Sequence, residues 1–447
     1  MKILTINCGS SSLKFSVFDQ NKNSFVASGV VERINIGDSF INYEPLNGQK
    51  LTINRDVKNH KEAFNLVLDV LTDKDNGILT NVNEIKAVAH RVVHGGEKFV
   101  KSVVITPKVI DTFKELFSLA PLHNPPNVMG IEAAMEILPN VTHTAIMDTA
   151  WHQTMPKSSY IYALPYEWYE KYGIRRYGFH GTSFLYTAKR ASVLLNKNPF
   201  ETNLIIAHIG NGASINAIKN GCSYDTSMGF TPLEGLVMGT RAGDHDPAIG
   251  LFVMQKENLT PKEIDSLLNK KSGVLGITGK YVDRRDIEIA AEKGDERAKL
   301  AIEIESYRIK KYIGSYYAAL GKVDAVVFTA GVGEMGPITR EKACEGLENI
   351  GIIIDKEKNN ISKTRNAETV ISADNSPVKI FVIPTDEERV FVEDTLALID
   401  GKYDVHTNFA YTFQSKNYKN PIREENLKKQ LIKKPELEKV LAEKMIK

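Results

Sequence analysis

The sequence predicts an α/β protein built from two similar domains, and three observations predict it. A chain of 447 residues exceeds what one ordinary hydrophobic core organises. Apolar, β-branched stretches alternate along it with segments of helical periodicity. One local design also occurs twice, about 200 residues apart. Residues 2–6 read as a strand that breaks at 7–12, and a second strand follows with Leu13, Phe15 and Val17 on one face and Lys14 and Ser16 on the other. Residues 203–207 are again an apolar strand, 208–214 a Gly/Asn/Ser turn, and 215–218 alternate once more. Two such hairpins, each opening a long mixed stretch, point to a duplicated domain.

The elements follow in order. Residues 61–72 carry Phe64, Val67, Leu68 and Leu71 at helical spacing. Residues 85–89 form an apolar strand leading into His90-Arg91-Val92-Val93-His94-Gly95-Gly96, and 141–147 form another that ends at Asp148. Residues 297–320 read as one long helix with Gly321 as its left-handed cap. Strands at 323–329 and 378–383 run into Ala330-Gly331-Val332-Gly333 and Pro384-Thr385-Asp386-Glu387-Glu388. From about residue 401 the chain changes character. Residues 423–447 are rich in Lys and Glu, with Leu427, Leu431, Leu437, Val440, Leu441 and Met445 at helical spacing. Pro435 is expected to split them into two short amphipathic helices, a terminal appendage that packs on the body or frays rather than a partner-binding module.

Composition narrows the function. A net charge of +2 argues against nucleic acid or an anionic membrane as partner and favours small molecules. Three widely spaced cysteines, Cys8, Cys222 and Cys344, give neither a disulfide framework nor a metal cage and fit a reducing cytosol. The first residues turn polar too soon for a signal peptide, and no apolar run approaches the ~20 residues of a membrane span. A cytoplasmic protein is therefore expected.

Three strand-to-turn junctions, 7–12, 208–214 and 329–334, are rich in Gly, Ser or Asn. Such turns expose backbone N–H groups to phosphate oxygens, and three together favour a nucleotide site. Neither a P-loop nor a Rossmann fingerprint is present. Arg91 in HRVVHGGEKF and Arg241 in GTRAGDHDP lie among glycines, where a guanidinium fork can clamp a carboxylate or phosphoryl group, although each alone also fits an ordinary ion pair. His180, in RRYGFHGTS, and His123, in APLHNPPN, read as loop histidines, the second in a loop stiffened by prolines. Asp148 is open to three readings: metal ligand, base or cap of the following segment. Glu387 reads either as a hard-metal ligand or as a carboxylate at a helix N-terminus.

Taken together, NCGSSSLKF, HRVVHGGEKF, APLHNPPN, MDTAWHQTMP, RRYGFHGTS, HIGNGAS, DTSMGFTPLEGLVMGTRAGDHDP, FTAGVGE and VIPTDEE closely resemble the acetate kinase family, within the actin-like sugar-kinase and chaperone-ATPase superfamily. The resemblance runs over nearly all of residues 1–400. It implies two duplicated ribonuclease-H-like (actin-like ATPase) domains with an interdomain active-site cleft. It divides the chain into residues 1–150, joined by part of 385–400, a nucleotide-binding domain at 151–384, and the extension 401–447, which has no counterpart in the typical family pattern. It implies a homodimer and reversible, Mg²⁺-dependent, in-line transfer from ATP to acetate, giving ADP and acetyl phosphate, with Mn²⁺ as an alternative ion.

Carried over by position, the resemblance makes Asn7 and Glu387 the metal ligands. It places ATP against Lys14, against His208, Ile209, Gly210, Asn211 and Gly212, and, at the adenosine end, against Asp283, Arg284 and Arg285 with Gly331, Val332, Gly333, Glu334 and Met335. Arg91 and Arg241 bind the acetyl phosphate or carboxylate, His180 steadies the transferring phosphoryl group, and Asp148 assists near the attacking oxygen. Val93, Leu122, His123, Phe179 and Pro232 surround the acetate, four of them forming its apolar pocket. The chain departs from the pattern at Met335, where Asn is usual, at 280–282, where a Ser-Ser pair is replaced, and at Asp386, which also replaces Asn. Two rivals share part of this evidence: a propionate or other short-chain acyl kinase, and a non-catalytic actin-like nucleotide-binding regulator. The second has no reason to keep Arg91, His180 and Arg241 together.

Overall fold

The structure, a computed structural model, describes residues 1–46 and 48–445, and the chain divides into two compact units. The first comprises residues 1–153, 386–412 and 420–422; the second comprises 154–385, 413–419 and the chain from Arg423 onward.

One mixed sheet organises the first unit. Its strands are β1 (Lys2–Cys8), β2 (Ser12–Asp19), β3 (Ser24–Glu32), β4 (Phe40–Pro45), β5 (Leu51–Asn54), β6 (Ile85–Val92), β7 (Val103–Val104) and β8 (Thr142–Met147), in the spatial order β5-β4-β3-β2-β1-β6-β8-β7. The first five form an antiparallel meander, β6 and β8 continue parallel to β1, and β7 closes the edge antiparallel to β8. The second unit holds β9 (Leu204–Ile209), β10 (Ala213–Lys219), β11 (Cys222–Thr226), β12 (Ala325–Thr329), β13 (Thr369–Val370) and β14 (Lys379–Val382), in the order β11-β10-β9-β12-β14-β13. Here β10 is antiparallel to β9 and β11, β12 and β14 run parallel to β9, and β13 closes the edge antiparallel to β14. Six strands thus repeat in the same order and directions in both units, and the duplication expected from two hairpins extends through both sheets.

Side-chain alternation then sorts the first sheet into two faces. Leu4, Ile6 and Cys8 of β1 and Leu13, Phe15 and Val17 of β2 pack with Ala63, Phe64 and Val67 of helix His60–Leu71. On the opposite face Ile3, Phe18, Ala87, Ala89 and Ile146 pack with Phe391 and Val392 of helix Glu387–Ile399. Each large side chain so buried contributes about 1.5–3 kcal/mol relative to exposure. The same alternation brings Asn7, Lys14, Arg91 and Asp148 to the face covered by helix Glu387–Ile399. Asn7 and Lys14 are direct cross-strand partners.

Beyond this helix the chain is fastened through Asp394, which is fully buried and accepts hydrogen bonds from Ser102 Oγ (2.7 Å), Tyr411 OH (2.8 Å) and Tyr403 OH (3.2 Å). The extension is also part of the body. Leu437, Val440 and Leu441 bury against Ile361 and Ala367, and Leu441 bridges to Thr369 of the edge strand β13. The two amphipathic helices expected there take a different form. Helix Pro421–Lys433 is followed by a 3₁₀ helix, Pro435–Val440, and a short turn of helix, Ala442–Met445. The three-residue period eclipses Leu437 and Val440, so both reach one apolar cluster.

Two outcomes are expected. Leu441→Ala should lower stability by about 2–4 kcal/mol in urea unfolding; a cost under about 0.5 kcal/mol would mean the extension is not packed as described. Burial pushes the Asp394 carboxyl up to about 7. The folded chain therefore holds a proton there that the unfolded chain releases in the usual carboxylate range, and the associated stability is lost as pH rises through about 7. Asp394→Asn should flatten the stability profile between about pH 4 and 7, and an unchanged slope would contradict this assignment.

Candidate active site

In the first unit Asn7, Lys14, Arg91, Glu387 and Glu388 line one cavity of roughly 130 Å³, floored by Thr5, Ile6 and Phe391. The Arg91 guanidinium grips Asp148 in a bidentate pair, Nε to Oδ1 at 2.9 Å and Nη2 to Oδ2 at 2.6 Å. Burial alone would weaken the Arg91 charge, and the adjoining carboxylate more than offsets it. Asp148 is thereby committed to orienting Arg91. Glu387 opens helix Glu387–Ile399, as one of its two readings expected, and Asp386 caps that helix by accepting from the Arg389 N–H at 3.2 Å. Asp386 also accepts from Asn420 Nδ2 at 2.9 Å. Among the described residues no cluster of three His, Cys, Asp or Glu side chains forms a metal cage. One carboxylate and one amide at a cavity that also holds Lys14 suit a hard divalent cation shared with substrate phosphates and water.

His123 lies in a loop, as expected, although the prolines that follow it do not. It precedes helix Asn124–Ile137, whose first turn accommodates Pro125 and Pro126 because N–H groups there need no partner. Sequence reasoning missed the two asparagines beside those prolines. Asn127 accepts from the Val93 N–H (3.0 Å) and donates to the Cys8 carbonyl (2.7 Å), while Asn124 bonds the His94 N–H and carbonyl. They tie the end of β6 to the first hairpin turn. Both sit in the APLHNPPN motif, where a buried Asn looks no different from an exposed one. Val93 is half-buried and Leu122 is exposed.

In the second unit His180 ends the loop before helix Gly181–Leu194, as expected, and stands at the helix N-cap position in the left-handed region, with φ +58°. A non-glycine residue held there carries strain of order 1–3 kcal/mol, a feature common at functional sites. Its ring stacks on His208 at 4.0 Å, and its Nδ1 pairs with Ser214 Oγ at 2.7 Å. His208 in turn pairs with Ser183 Oγ at 2.8 Å. His180 Nε2 and Arg241 Nη1 both lie 3.6 Å from the point a side chain at Gly212 would occupy, so the 208–212 turn, His180 and Arg241 converge. Among the described residues Arg241 has no carboxylate partner. Its guanidinium reaches only Met238 Sδ at 4.0 Å, and burial lowers its pKa.

The segment carrying Pro232 and Arg241 is clamped at both ends. Arg176 donates to the Thr226 and Ser227 carbonyls (2.9 and 3.1 Å) and to Glu234 (2.7 Å), and Asp244 accepts from the Gly235 N–H and Tyr312 OH, both at 2.7 Å. Phe179 beside His180 is buried and Pro232 half-buried. Asp283 caps helix Arg284–Glu292 and is held down to about 2 by hydrogen bonds from the Arg285 side chain and backbone. Arg284 turns inward to Glu305 (Nε at 3.0 Å), apart from the exposed Arg285.

The third glycine-rich junction is not a turn. Ala330, with φ +63°, reverses the chain, and residues Ala330–Met335 form a short helix. Arg340, fully buried, donates to the Gly333 and Glu334 carbonyls at 2.9 and 3.0 Å and closes that helix from below. It lay outside every motif and carried no sequence signal.

The chain matches the family model described as the Acetokinase family over residues 2–393. It belongs to that family. An acetate kinase from Geobacter metallireducens is 60% identical over 418 residues, covering 94% of this chain and 99% of its own. One from Treponema pallidum is 56% identical over 438 residues, 98% of each chain. That match reaches well into the extension, so the segment after residue 401 does have a counterpart within the family, although the family model stops short of it. Among solved structures, Porphyromonas gingivalis acetate kinase is similar with TM-score 0.85 and 48% identity, covering 89% of this chain and 99% of that one. A propionate kinase from Francisella tularensis gives TM-score 0.80 at 41% identity, covering 87% and 97%. The acetokinase fold is thus that of the duplicated sheets described above.

Gly239 tests how closely the 208–212 turn depends on its surroundings. Its N–H donates to the Asn211 carbonyl at 2.8 Å, and a side chain there would stand 1.9 Å from Asn211 Oδ1. Gly239→Ala should displace Asn211 and lower kcat/KM on the order of a hundredfold while the chain stays folded; wild-type kinetics would remove Asn211 from the site.

Proposed function

We propose that the chain is an acetate kinase, moving the γ-phosphoryl group of ATP onto a carboxylate oxygen of acetate. The γ-phosphorus bond to the bridging oxygen of ADP breaks as the bond to the acetate oxygen forms, giving acetyl phosphate and ADP, and the reaction runs in both directions. The observation that carries this reading is Arg241: a partly buried guanidinium, without a carboxylate partner among the described residues, beside His180 and a phosphate-type turn.

The acceptor explains the chemistry around it. Acetate is ionised at neutral pH and needs no base, which agrees with an Asp148 already tied to Arg91. The barrier lies in bringing two anions together and in spreading charge over the transferring oxygens. Arg91 orients the acetate, Arg241 and His180 donate to the transferring phosphoryl group, and the Gly-rich 208–212 turn and Lys14 hold the remaining phosphates. The acetate methyl meets Val93, Leu122, Phe179 and Pro232, with His123 nearby. Asp283, Arg285 and the 331–335 segment take the adenosine end. Asn7 and Glu387 would hold Mg²⁺, which supplies charge neutralisation on the phosphates when bound.

The protein works as a cytoplasmic homodimer. Ile249, Leu251 and Phe252 on helix Ala248–Glu257 are exposed by 51–65%, an apolar face suited to a second copy. Its three cysteines are unpaired, as in a reducing compartment, and among the described residues no helix is long and apolar enough to cross a membrane.

Hydroxylamine trapping after incubation with Mg²⁺, ATP and acetate, propionate or butyrate tests the reaction. Acyl hydroxamate should form fastest from acetate; faster reaction with propionate would reassign the acid, and none from any acid would overturn the kinase reading. Arg241→Ala should lower kcat by about 10²–10³ and change KM for ATP far less. Near-normal turnover would remove Arg241 from catalysis.

A further inference from the structure

Helix Pro421–Lys433 of the extension presents two side chains one heptad apart, Arg423 and Gln430, to the second unit. Arg423 donates from Nη1 to the Pro384 carbonyl (2.9 Å) and from Nη2 to the Thr385 carbonyl (2.6 Å). Gln430 uses its whole amide on residues 363–366. Its Oε1 accepts from Thr364 Oγ1 (2.8 Å) and Asn366 Nδ2 (3.0 Å), and its Nε2 donates to the Lys363 carbonyl (3.1 Å).

The two segments held this way meet again at Glu334. This residue belongs to helix Ala330–Met335 and is 5% exposed. Its Oε1 accepts from the Thr385 N–H at 3.2 Å, and its Oε2 faces Arg365 Nε at 3.7 Å. Arg365 also stands over Gly331, with Nη2 3.6 Å from the point a side chain there would occupy. Burial raises the Glu334 pKa, and the Thr385 N–H, then Arg423 and Arg365, counter it. A closed circuit results: extension helix, 384–385, Glu334, Arg365, 363–366, and back to the extension helix.

We propose that the extension sets the nucleotide end of the active site, with Arg423 and Gln430 as positioning residues that hold 384–385 and 363–366 around Glu334 in the arrangement that binds ATP. Neither side chain touches the nucleotide. Each fixes backbone whose partner carries the 331–335 segment. A mere stabilising strap would lower the melting temperature and leave substrate affinities in proportion. A positioning role separates them, because acetate depends on other residues. The inference rests on the kinase reading for its kinetic readout only.

The test uses the full-length chain as wild type, Arg423→Ala, Arg423→Lys and Gln430→Ala. Steady-state kinetics, ADP titration calorimetry and thermal melting are measured for each. Arg423→Ala and Gln430→Ala should raise KM for ATP and Kd for ADP roughly five- to tenfold. KM for acetate and kcat should stay within about twofold. Arg423→Lys should fall between, because one ammonium serves one of the two carbonyls well. An unchanged ADP affinity in these variants, or equal weakening of ATP and acetate, would overturn the proposal. Should Arg423→Ala fail to fold, Gln430→Ala and Arg423→Lys decide the matter. Should the wild type make no acyl phosphate, the kinase reading falls and the ADP titration still decides this one.

Discussion

Arg241 is the constraint around which the second unit is arranged. A guanidinium in a partly dehydrated position, with no carboxylate beside it among the described residues, costs free energy that the folded chain must offset elsewhere. The offset is visible in the clamps on its segment, Arg176 with Glu234 at one end and Asp244 with Tyr312 at the other. These pairs neutralise their own charges and leave Arg241 without a partner carboxylate. Arg91 shows the alternative: its charge is balanced in advance by Asp148, so it can orient an anion without the same electrostatic pull. One arginine is positioned and neutralised, the other positioned and left charged. In the proposed reading, that division suits transfer between two anions.

The duplicated topology explains how one scaffold serves two tasks. In the first hairpin the second pair from the turn sets Asn7 opposite Lys14, an amide opposite a cation. In the second hairpin the equivalent strands pair His208 with Ser214, and these side chains support His180 by stacking and by a hydrogen bond. The backbone reverses tightly in both, over residues 9–12 in the first and 210–212 in the second. The side chains decide whether the junction meets ligand directly or carries the residue that does.

The sequence made legible what local chemistry controls. Strand alternation in 2–18, helical spacing in 61–72 and the hairpins at 7–12 and 208–214 all depend on neighbours in the chain, and the motifs gathered Arg91, His180 and Arg241 by resemblance. It misread places where a distant partner decides. The 329–334 junction became a helix because Arg340 satisfies its last carbonyls. Arg284 sits in a motif segment, yet Glu305, far along the chain, draws it inward. Asn124, Asn127, Arg423 and Gln430 act through hydrogen bonds to backbone remote in sequence, and no spacing rule reveals those.

In the proposed reading Arg241, which has no carboxylate partner among the described residues, meets the phosphoryl group. Equilibrium binding of acetyl phosphate, by calorimetry at fixed Mg²⁺ and in the absence of nucleotide, tests it without relying on turnover. The account predicts that Arg241→Ala weakens acetyl phosphate binding by at least about tenfold, while acetate, which lacks the phosphoryl group, loses much less. Equal affinity of wild type and Arg241→Ala for acetyl phosphate would contradict it.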